Sequence, residues 1–453
     1  MTWQYGTDAA PCRPFEDNVG VAGAGVPTPR GRALGVRYHE KVEVHGHLMD
    51  TGVLARVLDD VLDYGGDYRV DHIDLGRSHD DESHAVITVG AETPRRLMRI
   101  LMRIQVHGVN KLDGGTAQVE PADRDGVFPP DFYSTTNLET VVHLDGQWVP
   151  VEHPEMDCGL VVSHGRVRTV PVTDVRAGDM IVCGIDGVKV VLPVTDHSSR
   201  IYAEFKALGA PLPSSAQPQA VLVRAIARQI REAKAEGVQV LWVAGQAVVS
   251  TGATPALVAL VEAGYVDVLF TGNALATLDV EAALYGSPLG VGPLRSGRVQ
   301  RGSEQHIRAI NAIRREGSIR GAVESGVLTE GILHAMVKAN KTFVLVGSVR
   351  DDGPLPDVHT DVVAGQRAMR AALRGVGYAI MIASAQHSVA TGNILPASIP
   401  VACVDVNPAT VHALTERTSA HAVGVVADTG LFLEELAAEL VADYRPARPG
   451  PGG

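Results

Sequence analysis

Six uninterrupted apolar runs beyond residue 220 constrain the fold more than any other feature: VQVLWV, VDVLFT, FVLVG, YAIMIA, VACVDV and VGVVA. A strand with one wet face alternates apolar and polar residues. These runs do not, so both faces of each strand must be covered, as in a parallel sheet sandwiched between helices. Segments of about ten to eighteen residues with helical character separate them. One shows its start plainly: in NPATVHALTER, Asn407 stands as the N-cap and Pro408 at the first helical position. The pattern predicts a doubly wound α/β domain over 220–445.

The preceding residues read differently. YHEKVEV from 38 alternates like a strand, and apolar residues at 53, 54, 57, 58, 61 and 62 mark one helical face. YRVDHIDLG and HAVITVG then read as strands, TPRRLMRILMRIQVHG as a helix and TAQVEP as a fourth strand. The order βαββαβ predicts a ferredoxin-like unit. VVHLDGQWVPV and CGIDGVKVVL each place Asp-Gly between alternating runs, which predicts two hairpins in a β-rich appendage. The expected organisation is a flexible tail at 1–35, an α+β domain at 36–205, a Pro- and Ser-rich linker near 209–219, the α/β domain at 220–445 and a tail at 446–453.

The 453 residues suffice for two or three cores. A formal charge of -12 disfavours nucleic acid or an anionic membrane as partner. No apolar run approaches the roughly 20 residues of a bilayer span, and the first residues lack a signal-peptide pattern, so a cytoplasmic location is expected. The four cysteines, Cys12, Cys158, Cys183 and Cys403, form no CxxC pair, which fits reducing surroundings. Cys158 reads as an inert core thiol. Among 17 histidines only His45 and His47 are closely spaced. They could share a metal on one strand face, but no third or fourth ligand is evident, so no metal is expected.

In a doubly wound sheet, ligands gather beyond the carboxyl ends of the strands. All six runs there lead into glycine or small polar residues: AGQAVVSTGAT, GNALATLD, GSVRDD, SAQHSVATGNILP, Asp405 itself, and Asp428-Thr429-Gly430. Glycine admits close backbone approach, and helix starts favour phosphate. Asp405, a carboxylate at the tip of a buried strand, is placed to accept a ribose diol. No GxGxxG follows any strand, so the tips indicate a dinucleotide or similar ligand without a standard Rossmann fingerprint. One loop is unusual: between Ser348 and Asp361 lie four aspartates, an arginine, a histidine and two prolines. Either it receives a cation or it is a solvated turn.

The segments GHLMD (46–50), FYSTTN (132–137), EMDCG (155–159), TGNALA (271–276), ALYGSPLGV (283–291), GSVRDDGPLPD (347–357), TGNILP (391–396) and CVDVNP (403–408) together resemble the archaeal-type ornithine cyclodeaminase family over roughly 38–440. That family carries the conserved region of the lysine-ketoglutarate reductase/saccharopine dehydrogenase bifunctional enzyme. The resemblance implies an NAD-binding domain of deoxyhypusine-synthase-like fold, conversion of L-ornithine to L-proline and ammonia with NAD as a prosthetic group, and a homodimer or homotetramer. Two segments, 205–219 and 297–311, look looser than the family's, which leaves open another diamino acid such as lysine.

The reaction so implied is a hidden redox cycle that must hold a carboxylate and move protons at two amines. Asp351 and Asp352 are the candidates to receive ammonium or relay protons, one of them structural because consecutive residues cannot both face one pocket. Arg350 could clamp the substrate carboxylate or a cofactor phosphate. Asn137 and Lys189 are further substrate-side candidates, although Lys189 equally reads as a snorkelling edge lysine. For NAD the candidates are Asn273, Ala274, Asp351, the loop Asn393, Ile394, Leu395 and Pro396, then Asp405, Asp428 and Thr429. A net NAD(P)-dependent dehydrogenase or imine reductase is the alternative enzyme. A non-catalytic nucleotide sensor is the alternative outside catalysis, disfavoured by the presence of Arg350, Asp351 and Asp352.

Overall fold

The computed structural model describes residues 37–46, 48, 53–76, 83–192, 219–286, 304–351, 353–418 and 422–446. The expected tails apart from Pro446, most of the linker, His47, Asp352 and Cys12 lie outside them, as do parts of the GHLMD and ALYGSPLGV segments.

The chain begins with β1 (Tyr38–Gly46), α1 (Val53–Asp63), β2 (Asp67–Asp74), β3 (Ser83–Ala91), α2 (Pro94–Gln105) and β4 (Asn110–Lys111). The sheet order β2-β3-β1-β4 is the ferredoxin-like arrangement. Helix α2 forms where the sequence starts it: the Thr93 hydroxyl accepts from the Arg96 N–H, Pro94 opens the first turn, and Leu97, Ile100, Leu101 and Ile104 make one buried face. The fourth strand is a correction. It is the two-residue β4, whereas TAQVEP supplies β5 (Gln118–Pro121) of a second sheet. Two residues carry no periodicity to read, and the Asn110 side chain ties this strand to Val190 of the second sheet. Its Oδ1 accepts from the Val190 N–H at 2.8 Å and its Nδ2 donates to the Val190 carbonyl at 2.8 Å.

The second sheet continues with β6 (Glu139–Leu144), β7 (Gln147–Glu152), β8 (Gly159–Ser163), β9 (Arg166–Val170), β10 (Met180–Cys183) and β11 (Val188–Val191), ordered β11-β6-β7-β9-β8-β10-β5. Asp145-Gly146 makes the expected β6–β7 hairpin, both residues having positive φ (48° and 81°). Asp186-Gly187 does not make one: β10 pairs with β5 and β8, and β11 with β6. Strands β10 and β11 stand five places apart, about 24 Å in a flat sheet, yet the four intervening residues reach at most about 17 Å. The sheet must therefore curl until its ends meet. The Ala117 N–H donating to the His143 carbonyl at 3.0 Å closes that seam.

The C-terminal half holds β12 (Gln239–Ala244), β13 (Val268–Gly272), β14 (Thr342–Val346), β15 (Val358–His359), β16 (Val376–Ile382), β17 (Val401–Asp405) and β18 (Ala422–Val426). All pair in parallel, in the order β15-β14-β13-β12-β16-β17-β18. Apart from the added β15, that is the doubly wound order 3-2-1-4-5-6. Buried side chains on both faces, such as Trp242 and Val240 on one and Leu241 and Val243 on the other, account for the uninterrupted apolar runs. No helix among the described residues is long and apolar enough to cross a membrane.

The two halves are in contact. FYSTTN and EMDCG dock on TGNILP: the Met156 N–H donates to the Asn393 carbonyl at 2.8 Å and the Ala397 N–H to the Asn137 carbonyl at 2.7 Å. Arg370 Nε donates to Glu155 Oε2 at 2.7 Å, and Arg367 pairs with Asp174 at 2.5 Å.

Candidate functional site

In the order 3-2-1-4-5-6 the chain switches direction between β12 and β16, the point at whose carboxyl ends doubly wound sheets form their ligand crevice. There the loops leaving the two strands touch. The Gly245 N–H donates to the Ile382 carbonyl at 2.9 Å, and a Cβ on Gly245 would fall 1.7 Å from the Ala383 carbonyl oxygen. Only glycine fits. Ala383 itself holds φ at +52°, a conformation that costs a non-glycine residue about 1 kcal/mol or more.

Beside the crevice, the tips of β13 and β14 carry a polar constellation. Asn273 opens the helix Asn273–Tyr285 and is buried. Its Oδ1 accepts from the Leu355 N–H at 3.0 Å and from the Thr277 hydroxyl at 3.2 Å, and its Nδ2 donates to Asp351 Oδ1 at 3.3 Å. The other Asp351 oxygen accepts from the Ser348 N–H at 2.6 Å. His387, in the helix Ala385–Ile394, completes the group. Its ring leaves no room for a Cβ on Gly272 (2.9 Å from Cε1), and its Nε2 lies 3.4 Å from the Val346 carbonyl. Burial pushes the His387 pKa down, against opposing contributions from that carbonyl and from the Asp351 charge.

The aspartate-rich loop thus divides its work. Asp357 accepts from the Ile319 N–H at 2.8 Å, and Asp361 caps the helix Val362–Ala372. These two are structural. Asp351 turns inward to Asn273, whereas the Arg350 side chain is exposed and has no partner among the described residues. Asp352 lies outside the described residues.

The remaining candidates fall into four groups. Asp405 stands at the tip of β17 with one oxygen accepting from the Asn407 N–H at 2.8 Å. Asp428 caps the helix Thr429–Leu440 through the Leu431 N–H at 3.0 Å, and Thr429 is buried beneath it. Ala274 is exposed in the first turn of its helix, where backbone N–H groups lack intrahelical partners. The loop 393–396 is committed to docking: the Asn393 carbonyl takes the Met156 N–H, and the Leu395 carbonyl accepts from Asn137 Nδ2 at 3.3 Å. Ile394 and Leu395 are core side chains, and Pro396 is half-buried. Asn393 Oδ1 is nonetheless buried without a hydrogen-bond partner among the described residues, as is the Ser388 hydroxyl on the same helix.

Lys189 is placed elsewhere. On β11 it alternates with Val190, which packs with Ala397, so its side chain takes the opposite face. There it meets Glu43 at 3.9 Å and the Trp148 ring at 5.4 Å. Cys158 is buried and free, its pKa pushed up to about 12 by burial and then by Glu155, so it is an inert thiol.

His387 is the member of the constellation that sequence patterning did not single out. Its signal is a lone ionisable side chain in the otherwise uncharged segment SAQHSVATGNILP that leaves the fourth strand of the sheet.

Comparisons with known proteins agree with this arrangement. Residues 39–138 match the LOR/SDH bifunctional enzyme conserved region. Residues 139–223 match the first region of the C-terminal part of arginine dihydrolase ArgZ-like proteins, and 224–436 match their C-terminal Rossmann fold. A protein of Methanothermobacter thermautotrophicus called ornithine cyclodeaminase is 46% identical over 402 residues, which are 88% of this chain and 97% of that protein. The crystal structure of a LOR/SDH protein from Methanococcus maripaludis superposes with a TM-score of 0.64 at 40% identity, covering 72% of this chain and 97% of that one. Apo ArgZ, an arginine dihydrolase of cyanobacteria, superposes with a TM-score of 0.76 at 31% identity over 90% of this chain. This chain spans only 59% of ArgZ. Identity at that level, across nearly the whole of a relative of similar length, places the chain in the ornithine cyclodeaminase family.

Proposed function

We propose that the protein is an ammonia-lyase that converts L-ornithine to L-proline and ammonia, with NAD held as a prosthetic group along the carboxyl edge of the parallel sheet. The observation that carries this reading is the Asn273–Asp351–His387 constellation, set beside the β12–β16 crevice of a doubly wound sheet. Membership of the ornithine cyclodeaminase family supports the substrate.

The residues fit a dinucleotide. Gly245 and Ala383 bring backbone to the crevice floor, Asp405 keeps one carboxylate oxygen without a partner among the described residues at the next strand tip, and Ala274 stands in the first turn of a helix that begins at the edge of the site. Asn393 Oδ1 is a buried acceptor with nothing to accept from among the described residues, the mark of a group awaiting a ligand donor. These residues, with Asp428 and Thr429 on the adjacent tip, would hold the cofactor. NAD bound there supplies a hydride acceptor for the substrate Cα that also returns the hydride, so no net reduction accompanies turnover.

The protein's own contribution is charge and proton placement. Two donors fix the Asp351 carboxylate, whose acceptor capacity exceeds two bonds, and an ornithine ammonium group is the complementary partner for the remainder. His387 is a base: lowered by burial, its pKa leaves the imidazole neutral at pH 7 and able to take a proton from an amine at the α-carbon. A proton taken from the α-ammonium readies Cα for loss of hydride, one taken from the δ-ammonium lets the δ-nitrogen attack the resulting imine carbon, and a proton handed back to the α-nitrogen lets it depart as ammonia. Docking of 132–137 and 155–159 on 391–397 fixes the N-terminal half against the end of the helix that carries His387. Arg350, exposed on the loop, would meet the substrate carboxylate, and Asp352 neighbours it in sequence. The working unit is a homodimer or homotetramer in the cytoplasm, with domains at 36–205 and 220–445.

The test is direct. Purified protein is incubated with ornithine, lysine or 2,4-diaminobutyrate, and ammonia, cyclic imino acid and absorbance at 340 nm are followed. Proline and ammonia from ornithine in equal amounts, with flat absorbance, are expected. No ammonia, or reduced cofactor accumulating with turnover, overturns the reading.

A further inference from the structure

Away from the strand tips, three side chains of the kind that ligate transition metals meet on the outer face of the N-terminal sheet. Glu43 and His45 lie two apart on β1, so the pleat points both to one side. The strand register sets His84 of β3 directly opposite His45, and the two imidazoles stack with centroids 4.1 Å apart. Glu43 Oε2 stands 3.5 Å from His45 Nε2 and 3.7 Å from His84 Nε2. The ligand atoms of all three residues fall within 4.8 Å of one another.

An ordinary histidine–carboxylate pair closes to hydrogen-bond length, as His107 does with Asp60 and His72 with Asp74, both at 2.8 Å. Neither imidazole does so here. The two glutamate–histidine separations are instead close to those of ligands around one ion, since tetrahedral bonds of about 2.0–2.1 Å put neighbouring donors about 3.4 Å apart; the stacked imidazoles need a ring rotation to turn both Nε2 lone pairs onto it. Two independent observations point the same way. His84 Nε2 is buried with no hydrogen-bond partner among the described residues, which is costly unless something fills the point it faces. The Glu43 carboxylate is also divided: Oε1 is turned to the Lys189 ammonium at 3.9 Å, leaving Oε2 between the two rings.

We propose that Glu43, His45 and His84 form a binding site for a divalent transition-metal ion of the Zn²⁺ class, with water completing the tetrahedron. Sequence spacing hides the site because the third ligand is 39 positions from the second and arrives only through the β1–β3 ladder. The ion ties the two strands together near one end of their pairing. It is independent of the strand-tip chemistry, and the nearby Lys189 charge holds the affinity to a moderate level.

The test uses full-length protein stripped with chelator and titrated with Co²⁺, whose visible bands report tetrahedral coordination, and with Zn²⁺ in a thermal melt. Wild type is expected to saturate at one equivalent with a Kd of about 10 µM or tighter, and to melt about 3 °C higher in excess Zn²⁺. His84→Asn should lose the tetrahedral bands, and Glu43→Gln should bind at least about tenfold more weakly. Should His84→Asn fail to fold, His45→Asn, whose side chain is 57% exposed, reads the same loss. No saturable binding by wild type, or equal binding by these variants, overturns the proposal.

Discussion

Replacing Gly245 by alanine probes the crevice where its walls are tightest. The new Cβ would lie 1.7 Å from the Ala383 carbonyl oxygen, whereas real contacts of this kind stay above 3.0 Å. The two loops must therefore separate by about 1.3 Å, and neither contact atom is the end of a flexible side chain that could swing away. Overpacking of this sort costs about 1–3 kcal/mol, and stretching the 2.9 Å bond from Gly245 to Ile382 adds about 1 kcal/mol. At about 2–4 °C per kcal/mol for a unit the size of the C-terminal half, the melting temperature should fall by about 5–15 °C. Gly264→Ala is the control. Gly264 has φ of +83° but nothing within 4 Å of its would-be Cβ, so it incurs only the left-handed penalty of about 1–2 kcal/mol. Thermal melts and NAD titration of both variants, read by calorimetry, decide the matter. Gly245→Ala should also weaken NAD by about tenfold or more, since the displaced loops form the crevice floor. A melting temperature equal to the control's, with unchanged NAD affinity, would refute the reasoning.

Other consequences are open to simpler assays. Asp351→Asn removes the charge offered to an ammonium group, so the KM for ornithine should rise about tenfold or more and kcat fall about 100-fold, measured by ammonia release; turnover within twofold of wild type would remove Asp351 from the site. His387 remains neutral to lower pH than an ordinary imidazole near 6.5, so activity should persist below that value and be lost as pH falls through the depressed pKa. Stability follows the same sign, because the unfolded chain takes up that proton first and acid therefore favours unfolding. In His387→Gln this acid limb should vanish from the pH–rate profile, and a profile unchanged in shape would contradict the assignment. With its pKa raised to about 12, the Cys158 thiol should resist iodoacetamide at pH 8 in the native protein and react once urea unfolds it. Peptide mapping by mass spectrometry reads this, and rapid native labelling at Cys158 would count against its burial.

How much of the structure is legible in the sequence depends on the range of the interaction concerned. The parallel sheet announces itself because six strands buried on both faces need unbroken apolar runs, and no local alternative satisfies them. The ferredoxin-like order is legible from periodicity up to α2. Beyond it periodicity points to TAQVEP, because the true fourth strand is two residues long and is tied to the second sheet by an asparagine side chain. Asp-Gly at 145–146 is a hairpin and at 186–187 is not, since the partner of β11 is decided by closure of the curled sheet rather than by the turn before it. His164-Gly165, with φ of 51° and 72°, turns between β8 and β9 without the customary Asn or Asp to signal it. In the site, Asp351 is legible as one of several carboxylates, but its distinction from Asp357 and Asp361 comes from backbone donors at Ile319 and within the helix that Asp361 caps. Asn393–Pro396 stands out for its small polar character, whereas its backbone is spent largely on the docking of the N-terminal half. His387 gains meaning only when β13, β14 and the helix after β16 are assembled.

The most direct measurement is a crystal structure of the protein with NAD and ornithine bound. The dinucleotide is expected across the carboxyl ends of β12 and β16, with its nicotinamide near Asn273 and His387 and an ornithine ammonium group within about 3 Å of the Asp351 carboxylate. A dinucleotide bound away from those strand ends, or an Asp351 directed into solvent with the substrate held by other residues, would contradict this expectation.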